Sequence, residues 1–145
     1  MTYGNGVFVA VNGANSNTKA ASSPDGITWT ARTLPASGSW FSVTYGGGLF
    51  VTVDDSSGSS QAATSPDGIT WTLRTLPSSA NWVSVIYGNG VYATIGTNTT
   101  KVATSTDGIT WVAKTLPVLK YWNAVGYGNG VFVGIGNSDT AVSSP

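Results

Sequence analysis

The sequence contains no cysteine, no histidine and no glutamate. Disulfides, thiolate nucleophiles, imidazole acid–base catalysis and the usual zinc ligand sets are therefore excluded together. Charge is nearly as scarce, at 8% of residues, and six basic side chains cancel six acidic ones. Such a surface has no basic stripe for nucleic acid and no cationic patch for an anionic membrane. No apolar run nears the roughly 18 residues of a membrane-spanning helix, so membrane insertion is not expected. Met1-Thr2-Tyr3-Gly4 carries neither the basic nor the apolar stretch of an export signal, so any such signal is expected outside this sequence. No stretch follows a helical period over a useful length.

What is present is glycine, serine, threonine, asparagine and aromatics. With so few charges, solubility must come from uncharged polar side chains, which suits an extracellular or surface β protein better than a cytosolic helical one. The length of 145 residues fits one domain. Nothing in the composition calls for a cofactor, and no set of residues forms a metal site.

The aromatics are periodic. Trp29, Trp71 and Trp111 are 42 and 40 residues apart, as are Trp40, Trp82 and Trp122, while Tyr3, Tyr45, Tyr87 and Tyr127 follow at 42, 42 and 40. Three registers that agree define a repeat of about 41 residues. Each unit reads as four short strands. WFSVTY (40–45) is the first, and a glycine turn (Gly46-Gly47-Gly48, elsewhere Gly-Asn-Gly) leads to the second, LFVTV (49–53). Asn-Gly accepts positive φ at both central positions of a tight hairpin. The second strand is continuously apolar and is expected to be buried on both faces. Small residues at Ala10, Thr52, Thr94 and Gly134 mark where neighbouring units approach closely. A polar loop, a third strand and the turn SPDG lead to a fourth strand, which Pro77 is expected to end because proline cannot donate to a ladder.

Four short antiparallel strands per unit, repeated, describe the blade of a β-propeller. The segments SPDGITWT (23–30 and 65–72) and STDGITWV (105–112) resemble the Asp-box repeat, also called the BNR repeat, of sialidase-type and lectin-like propellers. That motif reads Ser-x-Asp-x-Gly-x-Thr-Trp and sits between the third and fourth strands. The likeness extends over nearly the whole chain, although here Asp and Gly are adjacent and the turn is one residue shorter. The resemblance implies an all-β propeller of four-stranded antiparallel blades. It does not carry catalysis with it: sialidases use an arginine triad, a Tyr nucleophile activated by Glu, and an Asp. This chain has only Arg32 and Arg74 and no Glu, and its six Asp offer no opposed pair. No enzymatic activity is expected.

Residues 1–145 therefore read as a single repeat domain: a partial blade (3–34), full blades (40–76 and 82–116) and a partial blade (122–145). Assigning three, four, four and three strands gives about 3.5 blades, fewer than the four to eight of a closed ring. The expected partner is the chain itself, as a homodimer closing a six- to eight-bladed ring.

Strand direction sorts the loops onto two edges. Asp25, Asp67 and Asp107 are expected to cap their own turns, with Trp29, Trp71 and Trp111 wedged into the packing at the start of the fourth strand. On the opposite edge, the loops between second and third strands differ in every unit. There the candidate ligand-binding residues are Asn15, Asn17, Asp54, Asp55, Asn98, Asn137 and Asp139, with Trp40, Trp82 and Trp122 nearby. Aromatic rings beside short amides and hydroxyls suit sugars, which makes a non-catalytic, lectin-like module with repeated shallow sites for glycans the leading expectation. The competing reading of that Trp series is an inter-blade wedge. The competing function is a structural or engineered fragment whose main property is oligomerisation. Asp54-Asp55 alone is too few ligands for calcium, and Asn98-Thr99-Thr100 matches a glycosylation sequon.

Overall fold

In the computed structural model, which describes residues 1–14, 16–137 and 141–144, the elements among the described residues are all strands. They are β1 (Thr2–Gly4), β2 (Val7–Val11), β3 (Asn17–Ser23), β4 (Thr30–Gly38), β5 (Trp40–Gly46), β6 (Leu49–Asp54) and β7 (Ser59–Ser65). There follow β8 (Thr72–Gly88), β9 (Val91–Thr97), β10 (Thr99–Ser105), β11 (Val112–Lys120), β12 (Trp122–Gly128), β13 (Val131–Gly136) and β14 (Ala141–Ser143). Each pairs antiparallel with its sequence neighbour inside a blade. β8 is long enough to serve two blades, as the last strand of the second and the first of the third.

The blades are thus β1–β4, β5–β8, β8–β11 and β12–β14. The opening unit holds one strand more than its sequence suggested. Thr2, Tyr3 and Gly4 pair with Val9, Phe8 and Val7, because three residues suffice for a ladder when the hairpin after them is tight. That hairpin is built as expected: Asn5 and Gly6 sit at φ 49° and 75°, Asn89 and Gly90 at 48° and 80°, Asn129 and Gly130 at 52° and 83°. These are the positive values that a two-residue turn between twisted strands requires.

Proline does not end the fourth strand. β4, β8 and β11 run on past Pro35, Pro77 and Pro117. The register explains why: Gln61 pairs with Thr75 but Ser59 pairs with Ala80, so the segment holding Pro77 bulges away from its neighbour and owes it no donor. The same shift recurs beside Pro35 and Pro117. The leucine before each proline uses the bulge to turn inward, and Leu34 and Leu76 are buried.

The core lies between blades. One cluster joins Val9, Ala20 and Leu34 of the first blade to Trp40, Phe50, Ala63 and Trp71 of the second. The other joins Val51, Val53 and Ala62 to Trp82, Tyr92, Ala103 and Trp111. The small residues of the second strand sit at these contacts. Thr52 and Thr94 are fully buried and donate their hydroxyls to the carbonyls of Ser42 and Ser84. Gly134 leaves room for Ile95, whose Cδ1 would stand 3.1 Å from an added Cβ.

Candidate functional site

Antiparallel pairing puts the glycine hairpins and SPDG turns on one edge of every blade. On that edge the aspartates serve their own turns. Asp67 Oδ1 accepts from the backbone N–H of Ile69 and Thr70 at 2.8 and 2.9 Å and from the Ser65 hydroxyl at 2.9 Å, while Ser65 Oγ accepts from Gly68 at 2.8 Å. The same set recurs at Asp25 and Asp107. Donors aimed at the carboxylate favour its charged form. The N–H groups of Thr110 and then Ile109, followed by the Ser105 hydroxyl, hold Asp107 down at about 2. The Thr28 and Ile27 N–H groups and the Ser23 hydroxyl lower Asp25, and Asp67 is lowered with the Thr70 N–H foremost. One oxygen of each carboxylate is thus committed to its own turn. The tryptophans that follow lie between the bend and the fourth strand, one residue before the strand begins.

The variable edge gathers the loops between second and third strands with the connections into each first strand. Here Trp40, Trp82 and Trp122 depart from the ligand-platform expectation: all three are 0% exposed. A bulge after each of them swings the indole into the blade interface. Trp40 and Trp122 donate Nε1–H to the carbonyls of Ala36 and Thr99 at 3.1 and 3.0 Å. A sugar cannot stack on a ring without a free face, so these three are inter-blade wedges.

Asp54 also points inward. Fully buried, it accepts from the Ser39 N–H at 2.7 Å, from the Ser56 N–H and hydroxyl at 2.9 and 2.7 Å, and from the Ser59 hydroxyl at 2.7 Å. It ties the DDSSGSS loop to the connection before Trp40 through both carboxylate oxygens. Asp55 is half-buried, and burial, with the neighbouring Asp54 charge second, raises its carboxyl above the ordinary range. Asn17 is a loop cap, donating to Asn12 and Ala14 carbonyls and accepting from the Lys19 N–H. Asn137 accepts from Asn123 Nδ2 at 2.7 Å. Asn15 and Asp139 lie outside the described residues.

Asn98 is the sequence candidate that lines a cavity. At φ 50° it forms the single-residue turn between β9 and β10 and borders an open groove of about 530 Å³. Around it stand Ser57 from the loop of the second blade, Ser79 and Asn81 from the connection into the third, Lys101 of β10, and Tyr121 just before β12. Lys101 is oriented by donating Nζ–H to the Ser79 carbonyl at 2.6 Å, and Asn81 Nδ2 by the Asp55 carbonyl at 3.1 Å. Tyr121 is 57% exposed and supplies the free aromatic face that the tryptophans lack.

Tyr121 did not stand out from motif spacing, yet the repeat contains the signal. The connections read ASGS (36–39), SSAN (78–81) and VLKY (118–121). Two are small and polar; the third places Leu119 and Tyr121 in solvent.

A second concavity, of about 320 Å³, is apolar and lies between the third and fourth blades. Ala93, Val102, Leu116, Phe132 and Val142 line it. In the repeat these positions correspond to Val9, Ala20, Leu34, Phe50 and Ala63, which cluster around Trp71. Its shape therefore belongs to the stacking pattern.

Comparison of backbones agrees with this geometry. The chain superposes on virginiamycin B lyase from Staphylococcus aureus with a TM-score of 0.70 at 12% identity, covering 88% of this chain and 48% of that one. YCF48 bound to a D1 peptide gives 0.64 at 17%, with 97% and 47% covered. The fold is a β-propeller. A GH74 enzyme from Niastella koreensis is similar as well, with a TM-score of 0.64 at 20% identity over 94% of this chain and 22% of that one. The chain thus spans less than half the length of each of these three solved structures. No protein-family model matches the sequence, and no curated protein matches it.

Proposed function

We propose that this propeller is a non-catalytic carbohydrate-binding module whose site is the groove around Asn98 and Tyr121. The observation that carries the proposal is the exposed Tyr121 ring at the wall of a polar groove, on the one connection that breaks the repeat pattern. The C–H face of a sugar stacks on such a ring, and Lys101, Asn81 and the Ser and Thr hydroxyls beside it offer donors and acceptors for sugar hydroxyls. One aromatic-walled groove replaces the several equivalent sites that the Trp series had suggested. The absence of catalysis is supported by chemistry: Asp25, Asp67 and Asp107 are committed to turns and Asp54 to its loop, leaving little carboxylate for acid–base work. The Ser–Asp geometry of the turns also supports reading them as Asp-boxes.

The test is a glycan array followed by titration calorimetry on the best ligand. Wild-type protein is expected to bind, and Tyr121→Ala to weaken binding by about tenfold or more, as loss of roughly 1.5 kcal/mol of stacking would. Tyr121→Phe should retain most of the affinity. Binding unchanged in Tyr121→Ala removes this groove from the site.

A further inference from the structure

Each internal blade interface repeats one device. Gly4 of the first blade lies under the ring of Tyr45 in the second, Gly46 under Tyr87 and Gly88 under Tyr127; a Cβ on any of the three glycines would stand only 2.0 to 2.1 Å from a ring carbon. Each tyrosine is braced from its own blade by the aromatic of the second strand: Tyr45 by Phe50, Tyr87 by Tyr92, Tyr127 by Phe132, at 4.6 to 4.8 Å between centroids. Valine assists, with Val9 and Val51 packing against Gly68 and Gly108 of the following blade.

The two outer faces carry the unmatched halves of this device. On the first blade Tyr3 is braced by Phe8 at 4.6 Å in the same tilted geometry, yet it has no glycine to cover and is 58% exposed. On the same face Trp29 is 38% exposed, against 8% for Trp71 and Trp111 at equivalent positions inside the stack. On the last blade Gly128, the counterpart of Gly4, Gly46 and Gly88, has nothing within 4 Å of the space a Cβ would take. Further along β13, where Ile135 pairs with Ala124, Ile135 is 54% exposed, whereas its counterparts Val53 and Ile95 are buried. One face is a plug and the other its socket, and both are apolar, of the kind that soluble proteins cover.

We infer that these faces are two halves of one interface, and that a second copy of this chain docks head to tail, with Tyr3 of each copy seated over Gly128 of the other. The occupant is a second copy because the surface that fits Gly128 is drawn three times inside this chain and offered a fourth time at its other end. A head-to-tail contact is heterologous and closes into a ring when its rotations sum to a full turn. The S. aureus propeller is matched over only 48% of its chain, so two copies hold about the amount of chain in one such ring. This inference stands independently of the carbohydrate reading.

Gly128 supplies a clean test. Its backbone is not in the left-handed region and the space above it is empty, so Gly128→Leu is tolerated within a single chain while filling the socket. Light scattering coupled to size exclusion is expected to show wild type at twice the 14.8 kDa of one chain. Gly128→Leu and Tyr3→Ala should run as monomers with an unchanged far-ultraviolet dichroism spectrum. A wild-type monomer, or a Gly128→Leu variant that pairs as well as wild type, overturns the docking. A ladder of larger wild-type species overturns closure by two.

Discussion

A carboxylate in this chain is defined by what donates to it. Asp25, Asp67 and Asp107 each collect backbone N–H groups, which lower their titration below the ordinary value of 3.8, to about 2 for Asp107. A folded-state value below the unfolded one means that these groups add stability above the ordinary carboxylate range and lose it as pH falls through the folded value. Asp55 works in the opposite sense. Burial, then Asp54, raises it, so its ionised form costs the folded state, and that cost is relieved as pH falls through its raised value. The two senses act in different ranges: below the ordinary value of 3.8 Asp55 is protonated in both states, and only the three lowered groups still change stability. Thermal melts followed by dichroism should therefore show a midpoint that falls steeply between about pH 4 and pH 2. Replacing all three turn aspartates by Asn should lower the midpoint at neutral pH and flatten that acid limb. These turns were legible in the sequence because a Ser-x-Asp-Gly turn is a local affair, settled within six residues, Ser23 to Thr28 in the first copy. Asp54 was not: its partners Ser39 and Ser59 come from different elements, and only their convergence turns a loop carboxylate into a buried hub.

At the scale of the strand, the blade follows from alternation, bulges and glycine. The Asn-Gly hairpins could be read directly from residue type, while the second strand is buried on both faces only where a blade has neighbours on both sides, in β6 and β9 and not in β2 or β13. The fate of the tryptophans and prolines could not, because each depends on a register shift that composition does not announce. One extra residue after Trp40 turns a candidate platform into a wedge, and the bulge at Pro77 lets a strand continue where proline should stop it. The glycines of the first strand show what the packing demands. Gly46→Ala drives a methyl to 2.0 Å from the Tyr87 ring, an overpacking expected to cost about 1–3 kcal/mol, whereas Gly128→Ala should leave the stability of the isolated chain unchanged to within about 0.5 kcal/mol. Urea denaturation of the two variants checks the contrast, with Gly128→Ala compared at concentrations where the chain is monomeric. Equal losses at both positions would mean that the ring contact does not set the requirement for glycine.

Across the whole molecule, exposure of the tryptophans reports which blade faces are covered. Of the six, Trp40, Trp82 and Trp122 are sealed, Trp71 and Trp111 are 8% exposed, and Trp29 alone is substantially open. The difference is positional: Trp29 follows the same SPDGIT sequence as Trp71 but has no preceding blade against it, and its Nε1–H donates to the Gly26 carbonyl at 3.2 Å. If a second copy supplies that blade, Trp29 becomes as inaccessible as its equivalents. Titration with N-bromosuccinimide under native conditions should then oxidise none of the tryptophans of wild type quickly, but one per chain in Gly128→Leu, with peptide mapping placing the change at Trp29. Rapid oxidation of Trp29 in a wild-type dimer would mean that the copies meet through some other surface, because head-to-tail docking cannot cover Tyr3 while leaving the neighbouring indole open.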